Sequence, residues 1–202
     1  MGEGTRLAAA AGAWLCFEDE AGQNLRPPRA RTWGRRGHTP VVRVSGKGSG
    51  RVSVAGLVCL RPGARGRLFY RVRVHRGRKG ERRSMSEADY AGLIAAAHSQ
   101  LHAPVILIWD NLNTHISAVM RTFIRAHPDW LTEIRLPGYA PDLNPVEGAW
   151  ANMKNGLGNL MARDVDQLAA IIKNRLKRIQ YRPELIGGFL AQTGLTPEPG
   201  PP

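Results

Sequence analysis

Val105-Ile106-Leu107-Ile108-Trp109 is an unbroken apolar run set between Pro104 and Asp110. A strand with one wet face alternates apolar and polar residues, so a short continuous run reads as a strand covered on both faces. Such a strand needs a layer above and a layer below it, which excludes an all-helical bundle and an open sheet with a solvated face. The expected architecture is a layered α/β core with this strand inside it. Asp110 then stands at the carboxyl end of the buried strand, where the chain leaves the core.

The surrounding elements follow from periodicity and punctuation. Ala13 to Phe17 is a short apolar run ending in Glu18-Asp19-Glu20, read as a buried strand whose carboxyl end opens into a site. An Arg-, Pro- and Gly-rich loop covers 26–40. Val41 to Val44, Val52 to Leu60 and Leu68 to Val74 read as strands separated by Gly-rich turns. In Tyr70-Arg71-Val72-Arg73-Val74 alternation puts both arginines on one face and both valines on the other. Ser86-Glu87-Ala88-Asp89 is a capping-box-like start for a helix running to about Leu101. Apolar residues at helical spacing predict a helix from Ser117 to about His127, and Leu131 to Leu136 is a further strand. A loop from Pro137 to Asn144 leads into a helix beginning at Pro145. Asp164 to Gln180 is amphipathic, with Leu168, Ile171, Ile172, Leu176 and Ile179 on one side. A shorter helix is expected over Pro183 to Ala191, followed by a frayed Pro-rich tail. The order is strands, helix, strand, helix, strand, then helices, in one domain over 1–195 with the tail at 196–202.

Charge narrows the partner. The formal net charge is +13, but between Arg26 and Arg83 there are 18 Lys and Arg against one acid, Glu81, a local net charge of +17. The remainder carries 11 basic and 15 acidic residues. A solubilising surface intersperses both signs, so this asymmetry favours a polyanionic partner over a merely solvated basic face. The two cysteines, Cys16 and Cys59, make no disulfide framework and are too few for a structural zinc, which fits a reducing, cytoplasmic setting. No segment approaches the length of a membrane span. Leu7 to Phe17 imitates a secretory signal but runs directly into three acids without a small-residue cleavage site.

Phosphoryl transfer on nucleic acid requires stabilising both the attacking and the leaving oxygen, and two divalent ions roughly 3.5–4 Å apart do both. Magnesium prefers hard oxygen ligands, so such a site is built from Asp and Glu on rigid elements. Asp19, Asp110 and Glu147 are the candidates, each with a plainer alternative. Asp110 also reads as a strand-end residue capping the following turn. Asn144-Pro145-Val146-Glu147 reads equally as an N-cap, a proline at the first helical position and the acid of a capping box. Asp19 is flanked by Glu18 and Glu20, but alternation puts it with Leu15 and Phe17, opposite both glutamates. Asp142 beside Pro141 reads as a turn residue, and Trp150 as core packing. His115, five residues after Asp110, reads either as a phosphate contact or water-steering group, or as a local hydrogen-bonding residue. Lys154 falls on the Glu147 face of its helix, within reach of a phosphate.

Three phrases together resemble the catalytic domain of IS630-type transposases of the Tc1/mariner superfamily. They are Phe17-Glu18-Asp19-Glu20-Ala21-Gly22 with Trp33-Gly34-Arg35-Arg36-Gly37; Trp109-Asp110-Asn111-Leu112-Asn113-Thr114-His115; and the stretch from Tyr139-Ala140-Pro141-Asp142-Leu143-Asn144-Pro145-Val146-Glu147 through Trp150 to Lys154. The 37 residues from Asp110 to Glu147 suit the close second-to-third acid spacing of that family. Ala140 stands where serine is common. The resemblance implies an RNase H-like fold, a mixed five-stranded sheet flanked by helices. It also implies a DDE triad of Asp19, Asp110 and Glu147 binding two Mg²⁺ or Mn²⁺ ions, cutting at transposon ends, and strand transfer into target DNA at TA dinucleotides.

With DNA as the implied partner, Arg35, Arg36, Lys47, Arg71, Arg73, His115 and Lys154 are the candidate contacts. A homodimer is expected, working in the bacterial cytoplasm in association with the nucleoid. Family members usually carry helix-turn-helix modules ahead of the catalytic domain, whereas here the first catalytic strand falls within the first 20 residues. The expectation is therefore a catalytic domain whose end-selecting module resides on a separate polypeptide, or a truncated remnant. Two alternatives compete: an RNase H-like nuclease or junction resolvase, which would hydrolyse without strand transfer, and a non-catalytic DNA-binding remnant, whose binding would ignore loss of Asp19 or Glu147.

Overall fold

In the computed structural model the described residues are 12–28, 33–38, 41, 50–137 and 141–194. The elements are β1 (Trp14–Asn24), β2 (Arg51–Leu60), β3 (Arg67–His75), α1 (Glu87–Leu101), β4 (Val105–Trp109), α2 (Ala118–Arg125), β5 (Leu131–Arg135), a 3₁₀ turn (Pro141–Leu143), α3 (Val146–Asn155), α4 (Val165–Gln180) and α5 (Pro183–Gln192). The strands form one sheet in the order β3-β2-β1-β4-β5. β1–β2 and β2–β3 are antiparallel, while β1–β4 and β4–β5 are parallel, so the sheet is mixed. Of the strand expected at Val41 to Val44 only Val41 is described, while the candidate contact Lys47 and the Pro-rich tail lie outside the described residues.

All five residues of β4 are buried, as the continuous apolar run requires. One core fills the side of the sheet facing α3, α4 and α5, with Leu15, Phe17, Val58, Ile106, Trp150 and Ile172 among its members. The other fills the side facing α1 and α2, with Trp14, Cys16, Leu57, Tyr90, Leu107 and Trp109. Burying a side chain of this size contributes roughly 1.5–3 kcal/mol. Cys16 and Cys59, paired across β1 and β2, are both free thiols.

Alternation on β3 falls as the sequence indicates. Arg71 and Arg73 both reach Asp89 of α1, at 3.0 and 2.5 Å, while Val72 and Val74 pack into the opposite core. The capping box is formed: Ser86 accepts from the Asp89 amide, and the Asp89 carboxylate accepts from the Ser86 amide at 2.9 Å. That carboxylate, fed by Ser86 and the Arg73 guanidinium, is held down at about 2 against the cost of desolvation. The two arginines expected to contact DNA thus tie β3 to α1. Among the described residues no helix is long and apolar enough to cross a membrane.

β1 departs from expectation. It does not end at the acids but continues to Asn24, because residues 15–24 keep an antiparallel partner in β2 throughout. Its other edge is paired with β4 only from Trp14 to Phe17. From Glu18 onward no strand among the described residues lies beside that edge, since β4 stops at Trp109. The cleft beside this overhang holds the site.

Candidate active site

Asp19 lies in the middle of β1 on the face of Leu15, Phe17 and Ala21, which belong to the α3 side of the sheet. Its Oδ2 accepts a hydrogen bond of 2.9 Å from the indole Nε1 of Trp150. Trp150 is therefore core packing and a donor to the site at once. It reaches Asp19 because the residue paired with Asp19 on β2 is Gly56. A Cβ there would meet the Trp150 ring at 2.7 Å, so the glycine is a matter of space. The Asp19 carboxyl is pushed up to about 7, first by burial and then by the charge of Glu147, with Asp110 adding to it and the Trp150 bond partly offsetting it.

Asp110 follows β4 directly. Its Oδ1 accepts from the Leu112 amide at 2.9 Å, the turn-capping bond anticipated for it, and also meets His115 Nδ1 at 2.8 Å. The His115 bond is the main reason this carboxyl lies below its ordinary range. An ionised Asp110 only accepts, so Nδ1 carries the proton. Capping and a site role are therefore compatible in one residue.

Glu147 sits in the first turn of α3. The reciprocal half of a capping box, which would have explained it, is not formed, since the Glu147 side chain does not bond back to the helix start. Asn144 instead accepts from the Val146 amide at 3.1 Å, and its own amide donates to the Glu18 carbonyl of β1 at 2.9 Å. This pins the start of α3 to the strand carrying Asp19 and leaves the Glu147 carboxylate uncommitted to the helix end.

His115 is placed differently from a phosphate contact. It is 2% exposed, stacked on Trp109 and edge-on to Tyr90. Its Nε2 lies 3.2 Å from Glu18 Oε2, off line for a hydrogen bond. A ring enclosed in this way offers DNA no donor. Glu18 itself is a buried carboxyl, raised well above the usual range by burial and then by Asp19, Asp110 and Glu20. Glu20, on the same face, accepts from the Tyr90 hydroxyl at 2.7 Å. These backing residues escaped the sequence reading, although the alternation that placed Asp19 also turns Glu18 inward beside Trp14 and Cys16.

Asp19 and Asp110 line one recess of about 410 Å³, together with Glu20, Arg51, Ser84 and His115. Glu147 lines a second recess with Asp142 and Asn144. Among the described residues no three His, Cys, Asp or Glu side chains form a closed ligand group. The donor set nonetheless fits a divalent cation: hard oxygens, one of them carrying a pKa raised by burial and then by a neighbouring carboxylate, are what such an ion relieves. Arg35 and Arg36 lie exposed at a turn closed by the His38 amide on the Arg35 carbonyl, and Lys154 is half-buried in the last turn of α3.

A mixed sheet of this order, with carboxylates on its middle strand, at the end of the adjacent parallel strand and on a helix packed against the middle strand, defines an RNase H-like catalytic domain. The same fold is seen in a Mos1 mariner paired-end complex with Mg, with a TM-score of 0.60 and 16% identity, matching 89% of this chain and 53% of that one. A Mos1 paired-end complex with left transposon end gives 0.57 and 17%, over 91% and 56%. The chain belongs to the DDE superfamily endonucleases, whose family model matches residues 14–169. An uncharacterized protein of Sinorhizobium fredii, y4pE/y4sA, is 34% identical over 67 residues, 33% of this chain and 46% of that protein. The chain thus spans about half the length of the proteins it matches.

Proposed function

We propose that this chain is the catalytic domain of an IS630-type DNA transposase that cuts at transposon ends and joins the freed 3′-hydroxyl to target DNA at TA sites. The observation that supports this reading is Asp19, bonded to Trp150 and lying near enough to Glu147 and Asp110 for both charges to raise its pKa. Asp19, Asp110 and Glu147 would hold two Mg²⁺ or Mn²⁺ ions, which when bound supply the charge that stabilises attacking and leaving oxygens. The protein's own part is to fix those carboxylates. Trp150 orients Asp19, and His115, backed by Glu18, orients Asp110. The overhang of β1 leaves room for a DNA strand beside them. Two element ends call for two such sites, hence a homodimer acting on nucleoid DNA, with end selection supplied by a helix-turn-helix module.

Incubating the chain with Mg²⁺ and duplexes carrying the element's ends, with and without a helix-turn-helix partner polypeptide, should give nicked and strand-transfer products that Asp110→Ala abolishes. Hydrolysis without joining would replace transposition with plain nuclease activity. DNA binding with no cleavage in Mg²⁺ or Mn²⁺, and no dependence on Asp19 or Glu147, would leave only a binding remnant.

A further inference from the structure

A second recess, of about 390 Å³, lies where β1, β2 and β3 end. Its wall includes Asn24, Arg51, His75, Arg78, Glu81 and Arg83. Arg51 faces Asn24 and His75 across its two strand pairings and also lines the recess of Asp19 and Asp110, so one residue borders both. The loop leaving β3 closes the recess. Gly77 and Gly80 adopt the left-handed conformation, with φ of 74° and 80°, and fold a strongly basic segment back over the sheet. Ser53 Oγ, donating to the Arg83 carbonyl at 3.2 Å, fastens it there.

His75 makes this more than a basic patch. It is 1% exposed, and neither ring nitrogen has a hydrogen-bond partner. An orphaned buried polar group opposes folding, and one retained in the wall of a recess calls for an occupant. The chemistry of the lining names its class. Arg51, Arg78 and Arg83 enter no ion pair among the described residues, whereas Arg76 is engaged by Asp166 and Arg82 by Glu87. The single carboxylate in the wall, Glu81, has Oε2 occupied by the amides of Arg76 and Arg78, at 2.8 and 3.1 Å, and so serves to hold the loop.

We propose that this recess seats a backbone phosphate of the DNA whose neighbouring segment occupies the catalytic cleft. Arg51 bridges the two positions, Arg78 and Arg83 supply charge, and His75 donates the buried hydrogen bond. This rests on DNA being the substrate, but not on the reaction performed. The assignment also explains why the segment 76–83, with five Lys and Arg against one acid, closes this end of the sheet.

The test uses the full chain and a fluorescent duplex in EDTA, so that no cleavage enters the measurement. Each phosphate contact contributes about 0.9 to the slope of log affinity against log salt. The Arg78→Ala/Arg83→Ala double variant should lower that slope by nearly two. Lys177→Ala/Arg178→Ala, which removes equal charge from a different recess, should leave it unchanged. The His75 ring ¹⁵N resonances should move when duplex is added to the wild-type chain. Equal loss in both pairs, or a silent His75, overturns the pocket. A chain that shows all three effects yet cuts no DNA would overturn the proposed reaction and leave the pocket standing.

Discussion

Asp19 carries a measurable cost in the metal-free protein. Its carboxyl titrates near 7 in the fold against an ordinary 3.8, so the folded state binds the proton more tightly than the unfolded one. That contribution is fully present below about pH 4 and is lost as pH rises through 7. Asp19→Asn should therefore raise the stability of the metal-free chain by roughly 2–4 kcal/mol at pH 8 and leave it unchanged near pH 4, as read by thermal melts. Mg²⁺ should raise the wild-type melting temperature at pH 8 and have little effect on the variant; equal stabilisation of both would remove Asp19 from the metal site. His115 makes a second case. Its Nδ1 bond holds Asp110, and an asparagine amide can occupy the Nδ1 position. His115→Asn should retain most Mn²⁺ affinity, whereas His115→Ala should lose it about tenfold or more, with both variants checked for folding by circular dichroism.

At the level of elements, Gly56 and Trp150 form one device spanning β2 and α3. The sequence shows a glycine inside an apolar strand and a tryptophan on a helix, with nothing to connect them. Only the register, Asp19 opposite Gly56, reveals that the missing side chain makes room for the indole that holds Asp19. Gly56→Ala should destabilise the chain by roughly 1–3 kcal/mol in urea unfolding, because the added carbon meets the rigid ring. Pairing it with the smaller ring of Trp150→Phe should recover part of that loss. Trp150→Phe alone removes the bond that lowers the Asp19 pKa and should shift the Asp19 titration upward by NMR. Helix starts were legible where the cap is local, as in Ser86 and Asp164, whose side chains accept from the third residue onward. Asn144 also caps locally, on the Val146 amide, but its second partner, Glu18, lies 126 positions away in sequence and leaves no local signal.

For the whole molecule, two apolar layers on a central sheet mean that β4 opens only when the domain unfolds. The amides of β4 and of residues 14–17 should exchange slowest with deuterium, at the global unfolding free energy, while those of 76–83 exchange through local opening. Fast exchange in β4 would contradict a strand covered on both faces. The sequence by itself determined this layering, because the apolar run at 105–109 and the periodicities around it depend only on neighbours in the chain. It likewise singled out the three candidate acids, through residue types and spacing, and showed the concentration of positive charge. Tertiary structure decided what those residues face. β1 outruns β4 because its partner on the other edge is longer; His115 turns inward between two carboxylates; Arg71 and Arg73 are drawn to Asp89; and His75 is left without a partner beside the cleft. Each depends on which strand lies next to which, a relation between distant residues that no local pattern encodes.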